Sequence, residues 1–252
     1  MRRQILMIIT IFISAVFIFL LCGKNFIYAF FPDDMTVYEN SESNTDRTIN
    51  LAVGDSVIFG TYQRVPIEWT VLDIKNDGRV LLQSKKILCF RPFNKGDTNP
   101  LGSSDWKTSS LREWLNSNSD DGFFRDENFS AFEKELIWNN QDSIFLLSKG
   151  QIQKYCSSDS RAKKPTKAAV VNSNLRFYIL PMQNVWYWTS SKTDSNESGV
   201  CTVTSSGNFY KSLALDNATG VCPAVYLKTY EFTGIPGEGN TENPYRIGEN
   251  LH

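Results

Sequence analysis

Residues 5–21 form an uncharged, apolar run interrupted only by Thr10 and Ser14, Ile5-Leu6-Met7-Ile8-Ile9-Thr10-Ile11-Phe12-Ile13-Ser14-Ala15-Val16-Phe17-Ile18-Phe19-Leu20-Leu21, and no charge stands between Arg3 and Lys24. A helix rising about 1.5 Å per residue needs about 20 apolar residues to cross a bilayer, and the run with Cys22 and Gly23 is close to that length. Arg2 and Arg3 before it, with Asp33 and Asp34 after it, favour a cytoplasmic N-terminus and translocation of the rest. The expectation is a signal anchor over residues 1–32, spanning the membrane through residues 5–23 with the bulk of the chain outside the cytoplasm. The alternative is a cleaved signal peptide, with cleavage after Ala29, which leaves the same domain secreted. Its apolar stretch is normally only about 7–15 residues, and Ile27-Tyr28-Ala29 supplies one small residue at the exit. A buried core helix is disfavoured because the run has no polar face.

Setting aside Arg2, Arg3 and Lys24 from the 26 basic residues leaves 23 against 27 acidic ones, a balance of −4 beyond the anchor. That balance argues against nucleic acid as a partner. Residues 33–50 are polar and acidic and read as a flexible stalk. From Leu51 the texture changes to short apolar segments bounded by turns. Asp55–Gly60, Trp69–Ile74 and Arg79–Gln83 read as strands, with Asn76-Asp77-Gly78 as the reversal of a hairpin. Ser110-Leu111-Arg112-Glu113 and Ser130-Ala131-Phe132-Glu133 carry the capping-box pattern, in which serine covers a free amide and glutamate reciprocates. They predict two helices, one burying Leu111, Trp114 and Leu115, the other Phe132 and Leu136. Ser143–Leu147 reads as a buried strand and Ser148 as the start of a third helix running to about Cys156.

The basic run Arg161-Ala162-Lys163-Lys164-Pro165-Thr166-Lys167 reads as a solvated loop, with anion binding as the alternative. Strands return at 185–190, 200–204, 209–215 and 221–227, with Ser205-Ser206-Gly207-Asn208 as a hairpin turn. The order β, α, β without regular alternation predicts an α+β architecture.

Much familiar chemistry is missing. The only histidine is His252, so triads and metal sites that need imidazole lack it. Five cysteines, at 22, 89, 156, 201 and 222, contain no C-x-x-C, and thiolate zinc is not expected. Outside the cytoplasm the last four allow three connectivities, and four separate buried thiols are equally open. No phosphate loop is present, and no catalytic residue, metal or cofactor is assigned. Glu68, Asp73, Asp105 and Glu113 could serve as an acid–base pair, although their spacing does not set them apart from surface charges. Asp194, Asn196, Asp216 and Asn217 offer oxygen to calcium without forming a recognised calcium motif. The aromatic candidates are stronger. Trp186 and Trp188 flank Tyr187 and share one face of a strand, and Trp106 precedes a helix in a polar loop. Exposed, such rings stack on sugars or partner side chains; the competing reading is that they fill the core.

Several segments in order resemble a known family. They are Val53-Gly54-Asp55-Ser56-Val57-Ile58-Phe59-Gly60, Pro66-Ile67-Glu68-Trp69-Thr70-Val71-Leu72, Arg91-Pro92-Phe93-Asn94 and Trp106-Lys107-Thr108-Ser109-Ser110-Leu111-Arg112-Glu113-Trp114-Leu115-Asn116. Phe145-Leu146-Leu147-Ser148, Trp188-Thr189-Ser190-Ser191 and Gly220-Val221-Cys222-Pro223-Ala224-Val225 complete the series. Together they resemble the bacterial domain of unknown function DUF6273 over most of residues 51–228, leaving 229–252 as a closing segment or tail. The final part is similar to C-type-lectin-like and formylglycine-generating-enzyme-like folds, so the resemblance implies a C-type-lectin-like mixed sheet with short helices. Cys222 stands where that family usually has arginine after Gly-Val. Since lectin-like domains often carry a bridge nearby, the resemblance makes Cys201 with Cys222 the favoured disulfide. It does not bring oxygenase activity, because the closely spaced copper-holding cysteine pair of formylglycine-generating enzymes is missing.

The expected function is thus a noncatalytic, membrane-anchored extracytoplasmic binding or adhesion module. Its expected partners are glycan, envelope polymer or surface protein, with Trp106, Trp186 and Trp188 as binding residues. A carboxylate-dependent envelope hydrolase and an accessory subunit of a membrane complex are the alternatives.

Overall fold

The computed structural model describes residues 47–95, 103–139, 141–175, 179, 182–193 and 199–248. All belong to a unit spanning Val37–His252. The apolar run at 5–21 and the stalk up to residue 46 lie outside the described residues. Among the described residues no helix is long and apolar enough to cross a membrane.

The first hairpins follow from turn chemistry. Strands β2 (Ser56–Tyr62), β3 (Val65–Ile74) and β4 (Val80–Ser84) pair antiparallel in succession. Between β3 and β4 the amide of Gly78, at φ 87°, donates to Lys75 O, and the amide of Lys75 donates to Arg79 O. Positive φ there suits glycine. Between β2 and β3 the chain reverses at Gln63 (φ 53°) and Arg64 (φ 65°), both in the left-handed region that a tight two-residue hairpin turn requires. Neither residue type signals such a turn, so β3 begins earlier than its apolar pattern suggests.

The remaining strands are β1 (Thr48–Asn50), β5 (Cys89–Phe90), β6 (Ile144–Phe145), β7 (Tyr187–Lys192), β8 (Gly199–Val203), β9 (Phe209–Leu213), β10 (Gly220–Val221), β11 (Ala224–Leu227), β12 (Glu231–Thr233) and β13 (Tyr245–Ile247). They form a six-stranded sheet in the order β13-β2-β3-β4-β11-β6, a five-stranded sheet in the order β5-β10-β7-β8-β9, and the pair β1-β12. Neighbours are antiparallel except β13 with β2 and β10 with β7. With four short α-helices among the described residues, this is a mixed α+β architecture dominated by sheet. Thr48–Asn50, inside the segment read as a stalk, are a strand because Ile49 is buried in the core. Residues 229–252 contribute β12 and β13, so this segment closes two sheets.

Side-chain alternation divides the interior in two. Val80, Leu82, Val225 and Leu227 enter one cluster with Trp69, Phe93 and Trp188, whereas Leu81 and Ala224 enter a second with Tyr187, Val203 and Ile152. Adjacent residues on a strand point to opposite faces, so the central strands of both sheets are covered on both sides, while β9 leaves Tyr210, Lys211 and Leu213 exposed. This explains why β4 reads as a continuous buried run rather than an alternating one.

Helices α1 (Ser110–Asn116), α2 (Ala131–Leu136), α3 (Lys149–Tyr155) and α4 (Lys167–Val171) fill in around the sheets. Ser109 rather than Ser110 caps α1, its hydroxyl accepting from the amide of Arg112. Ser110 instead accepts from the amide of Lys95. The buried face of α1 is Leu111, Trp114 and Leu115. In α2 the capping box of Ser130 and Glu133 is formed and Leu136 packs against the core as expected, but Phe132 does not. Phe132 is 44 % exposed and Glu133 is buried, its carboxylate accepting from the amides of Gly60 and Ser130 at 2.8 Å each. Satisfying the Gly60 amide decides which side of the short helix turns inward.

The stretch 221–227 is two strands, not one. Gly220–Val221 belong to the five-stranded sheet and Ala224–Leu227 to the six-stranded sheet, with the change of sheet at Cys222-Pro223. Proline has no amide to continue a ladder, and Pro223 contributes only its carbonyl, to the amide of Ser84. The switch bears on the expected bridge between Cys201 and Cys222. Strand β7 stands between β8 and β10, and two strand spacings make about 10 Å, beyond the about 7 Å that a disulfide spans. Cys222 is a free thiol whose Sγ donates to Ser84 O at 3.1 Å, so that pairing is not formed.

The basic run is also not a simple solvated loop. Its extended backbone bridges Ile87 through Pro165 and Val185 through Lys163, so alternate side chains point inward. Lys163 is buried, its ammonium donating to Ser84 O at 2.9 Å, while Lys164 faces solvent.

Candidate functional site

The three tryptophans singled out from sequence separate cleanly. Trp188, in the middle of the five-stranded sheet, is 1 % exposed; its indole donates to Arg91 O at 2.8 Å and its ring lies 5.7 Å from Phe93. Trp106 opens a 3₁₀ turn, donates to Asp142 at 3.1 Å and packs 5.9 Å from the same Phe93. Both are core or rim-of-core residues. Trp186 alone is well exposed, at 36 %.

The sheet register explains Trp186 and adds a residue that sequence reading missed. Trp188 pairs with Thr202, and Thr202 with Tyr210, so these three share one face. Trp186 is two residues before Trp188 on the same extended backbone, its carbonyl accepting from Gly220. It therefore reaches Tyr210 diagonally, with centroids 5.4 Å apart at 68°. Tyr210 is 63 % exposed. Edge-to-face rings at this distance hold each other in place without needing burial. The hairpin at Ser205–Asn208 predicted from sequence could have revealed this pairing had its register been counted.

Beside the rings the hairpin turn is internally bonded. Asn208 donates from its backbone to Thr204 Oγ1 and from its side chain to Ser206 Oγ, and Gly207 at φ 81° completes the reversal. Beneath, Thr202 Oγ1 reaches Tyr210 O at 3.2 Å and Ser212 Oγ at 3.3 Å. The aromatic pair thus stands on a fixed platform with hydroxyl and amide groups close by, suited to stacking on a flat ligand and bonding its rim.

The carboxylates are occupied elsewhere. Glu68 accepts from Ser56 and Lys85, and Asp73 from Lys75 at 2.6 Å. Five residues of strand separate those two, about 16 Å at the rise of a β-strand. Asp105 caps the 3₁₀ turn, and Glu113 is exposed on α1. Asp216 spends its oxygens on the amide of Ala218 and the hydroxyl of Thr219; Asp194 and Asn196 lie outside the described residues. Among the described residues no group of three His, Cys, Asp or Glu is placed to hold a metal ion.

The buried thiols are poor nucleophiles. Burial pushes Cys89 up to about 12, and burial likewise raises Cys222 against the opposing pull of nearby Lys163. A thiol must ionise to attack, so these remain inert near neutrality.

Fold and surface together define a class: an α+β domain of two sheets sharing a core, with a fixed aromatic pair on the outer part of the five-stranded sheet. The family model of the domain of unknown function DUF6273 matches residues 77–229, and the chain belongs to that family. The match spans the β3–β4 turn through the end of β11, including both elements that carry the aromatic pair. No curated protein and no solved structure matches the chain.

Proposed function

We propose that this protein is a noncatalytic binding or adhesion module, tethered to the membrane through residues 5–23 and presented outside the cytoplasm. It engages envelope glycan, envelope polymer or a surface protein through Trp186 and Tyr210. The observation that carries this reading is the exposure of that pair beside an internally bonded hairpin turn. Large amphipathic rings exposed at a surface are characteristic of interaction sites. The acidic balance beyond the anchor opposes a nucleic-acid partner, and the charge-free length of the apolar run supports an anchor.

The finer fold assignment belongs to the same proposal: a C-type-lectin-like domain. Its support is the sequence resemblance, with the Trp188-Thr189-Ser190-Ser191 strand central in the five-stranded sheet and the β1–β12 pairing joining distant parts of the chain.

Two experiments test the proposal. In intact cells, a protein fused after residue 252 is degraded by external protease; full protection contradicts the orientation. The full-length chain in detergent, presented to a glycan array and to envelope fractions, captures material that Trp186→Ala and Tyr210→Ala each release. Capture unchanged by both substitutions removes the aromatic pair from the site.

A further inference from the structure

The opposite face of the same sheet carries a second exposed feature. Residues 148–175 contain six cations, Lys149, Lys154, Arg161, Lys163, Lys164 and Lys167, against the single acid Asp159, in a chain whose net charge is −1; Lys163 and Lys167 are buried, and the other four reach the surface. The fold gathers part of this charge around Phe209. Lys149 Nζ lies 5.7 Å and Arg161 Cζ 5.3 Å from its ring centroid. Lys211, two residues along β9, falls on the same face, and its side chain lies over Gly199, where a Cβ would collide with it. Because Tyr210 occupies the alternate position, this cationic face is separate from the aromatic pair.

The cations are held in position. Arg161 Nε donates to Cys156 O at 3.2 Å, and the amide of Lys149 is fixed by Ser191 Oγ at 2.9 Å. Lys154, Lys164 and Lys211 are exposed. Among the described residues no ion pair joins Lys149, Arg161, Lys164 or Lys211 to an acid, whereas Lys75, Arg79, Lys85, Arg112 and Lys134 each have one, and Lys154 lies over Tyr155 near Asp73, outside this group. Like charges placed together repel, and a bound anion relieves that cost.

We propose that this face binds a linear polyanion, a polymer bearing repeated phosphate or carboxylate groups. Arg161 contributes the planar fork that suits both oxyanions, and the lysines contribute point charges along the chain of the ligand. Several cations spread over a face favour a repeating ligand over a single ion, because each added contact is intramolecular after the first. The site goes beyond the aromatic pair and does not depend on it.

The test uses the full-length chain in neutral-lipid nanodiscs, titrated with poly(glycerol phosphate), polygalacturonate and neutral dextran. Binding is expected to one or both polyanions and not to dextran, weakening as salt rises. Lys149→Gln, Arg161→Gln and Lys211→Gln combined are expected to weaken binding by about tenfold or more, with Trp186→Ala without effect. Should the triple variant lose its cooperative melting transition, Lys164→Gln with Lys211→Gln, both exposed, replaces it with an expected loss of about threefold. The phosphate and carboxylate arms show which oxyanion is preferred. Equal binding of dextran, polyanion binding unchanged in the charge variants, or capture only by phosphatidylglycerol vesicles each overturns the proposal. Loss of binding in Trp186→Ala alone contradicts the separateness of the two sites.

Discussion

The six-stranded and five-stranded sheets are built from the same strand-forming chemistry, yet they treat their surfaces differently. In the six-stranded sheet the surface cations find partners within the protein: Lys75 on Asp73, Arg79 on Asp77, Lys85 on Glu68. Its outer aromatics also satisfy each other. Arg79 lies 4.0 Å over Trp138, and Phe145 stacks on Tyr226 at 5.5 Å. In the five-stranded sheet, β9 exposes Tyr210 and Leu213, Trp186 stands at the entrance to β7, and the cations around Phe209 lack acids among the described residues. One sheet is closed on itself. The other is equally well anchored inside but leaves aromatic and cationic groups available at its surface.

If both sheets are equally anchored, their central tryptophans should cost the same to remove. Trp69→Ala and Trp188→Ala each lose a fully buried indole and its hydrogen bond, to Phe59 O and Arg91 O respectively. Each is expected to cost about 3–5 kcal/mol in denaturant unfolding. A cost below about 1 kcal/mol for Trp188→Ala would break the comparison, because the platform would then not be rigid. Next is Glu133→Ala, which orphans the amides of Gly60 and Ser130 beside the six-stranded sheet and is expected to cost about 2–4 kcal/mol.

Alkaline pH gives a smaller effect that involves both sheets. Cys89 is raised by burial from 9.0 to about 12, so above pH 9 the unfolded chain releases a proton that the folded chain keeps. Stability is then full below pH 9 and falls as pH rises toward 12. Burial raises Cys156 and Cys222 in the same direction. Denaturant midpoints measured from pH 8 to 10.5 check this, and a flat profile contradicts it. The smallest effect sharpens the comparison most: Trp186→Ala and Tyr210→Ala should each change stability by less than about 1 kcal/mol while lowering capture of envelope material.

What could be read from the sequence was local. Asp77-Gly78 and Ser206-Gly207 fix their hairpins because few residues accept positive φ, and the Ser130–Glu133 pattern fixes a helix start within four residues. What could not be read depends on partners far along the chain. Gln63 and Arg64 take left-handed conformations because β2 and β3 hold them there. Glu133 turns inward to meet Gly60, 73 residues away. Lys163 is buried because its ammonium reaches Ser84, and the chain changes sheets at Pro223 because two ladders compete for its neighbours. The candidate site was half legible for the same reason. Trp186 stood out by type, whereas Tyr210 became meaningful only through the register of β8 and β9.

The division of labour between the sheets is tested most directly by hydrogen–deuterium exchange of the full-length chain with and without captured envelope material. The expected result is added protection confined to the backbone around Trp186 and residues 204–213, with β3 and β4 unchanged. Protection centred on the β3–β4 hairpin, with none at Trp186 or β9, would place recognition on the closed sheet and contradict the account.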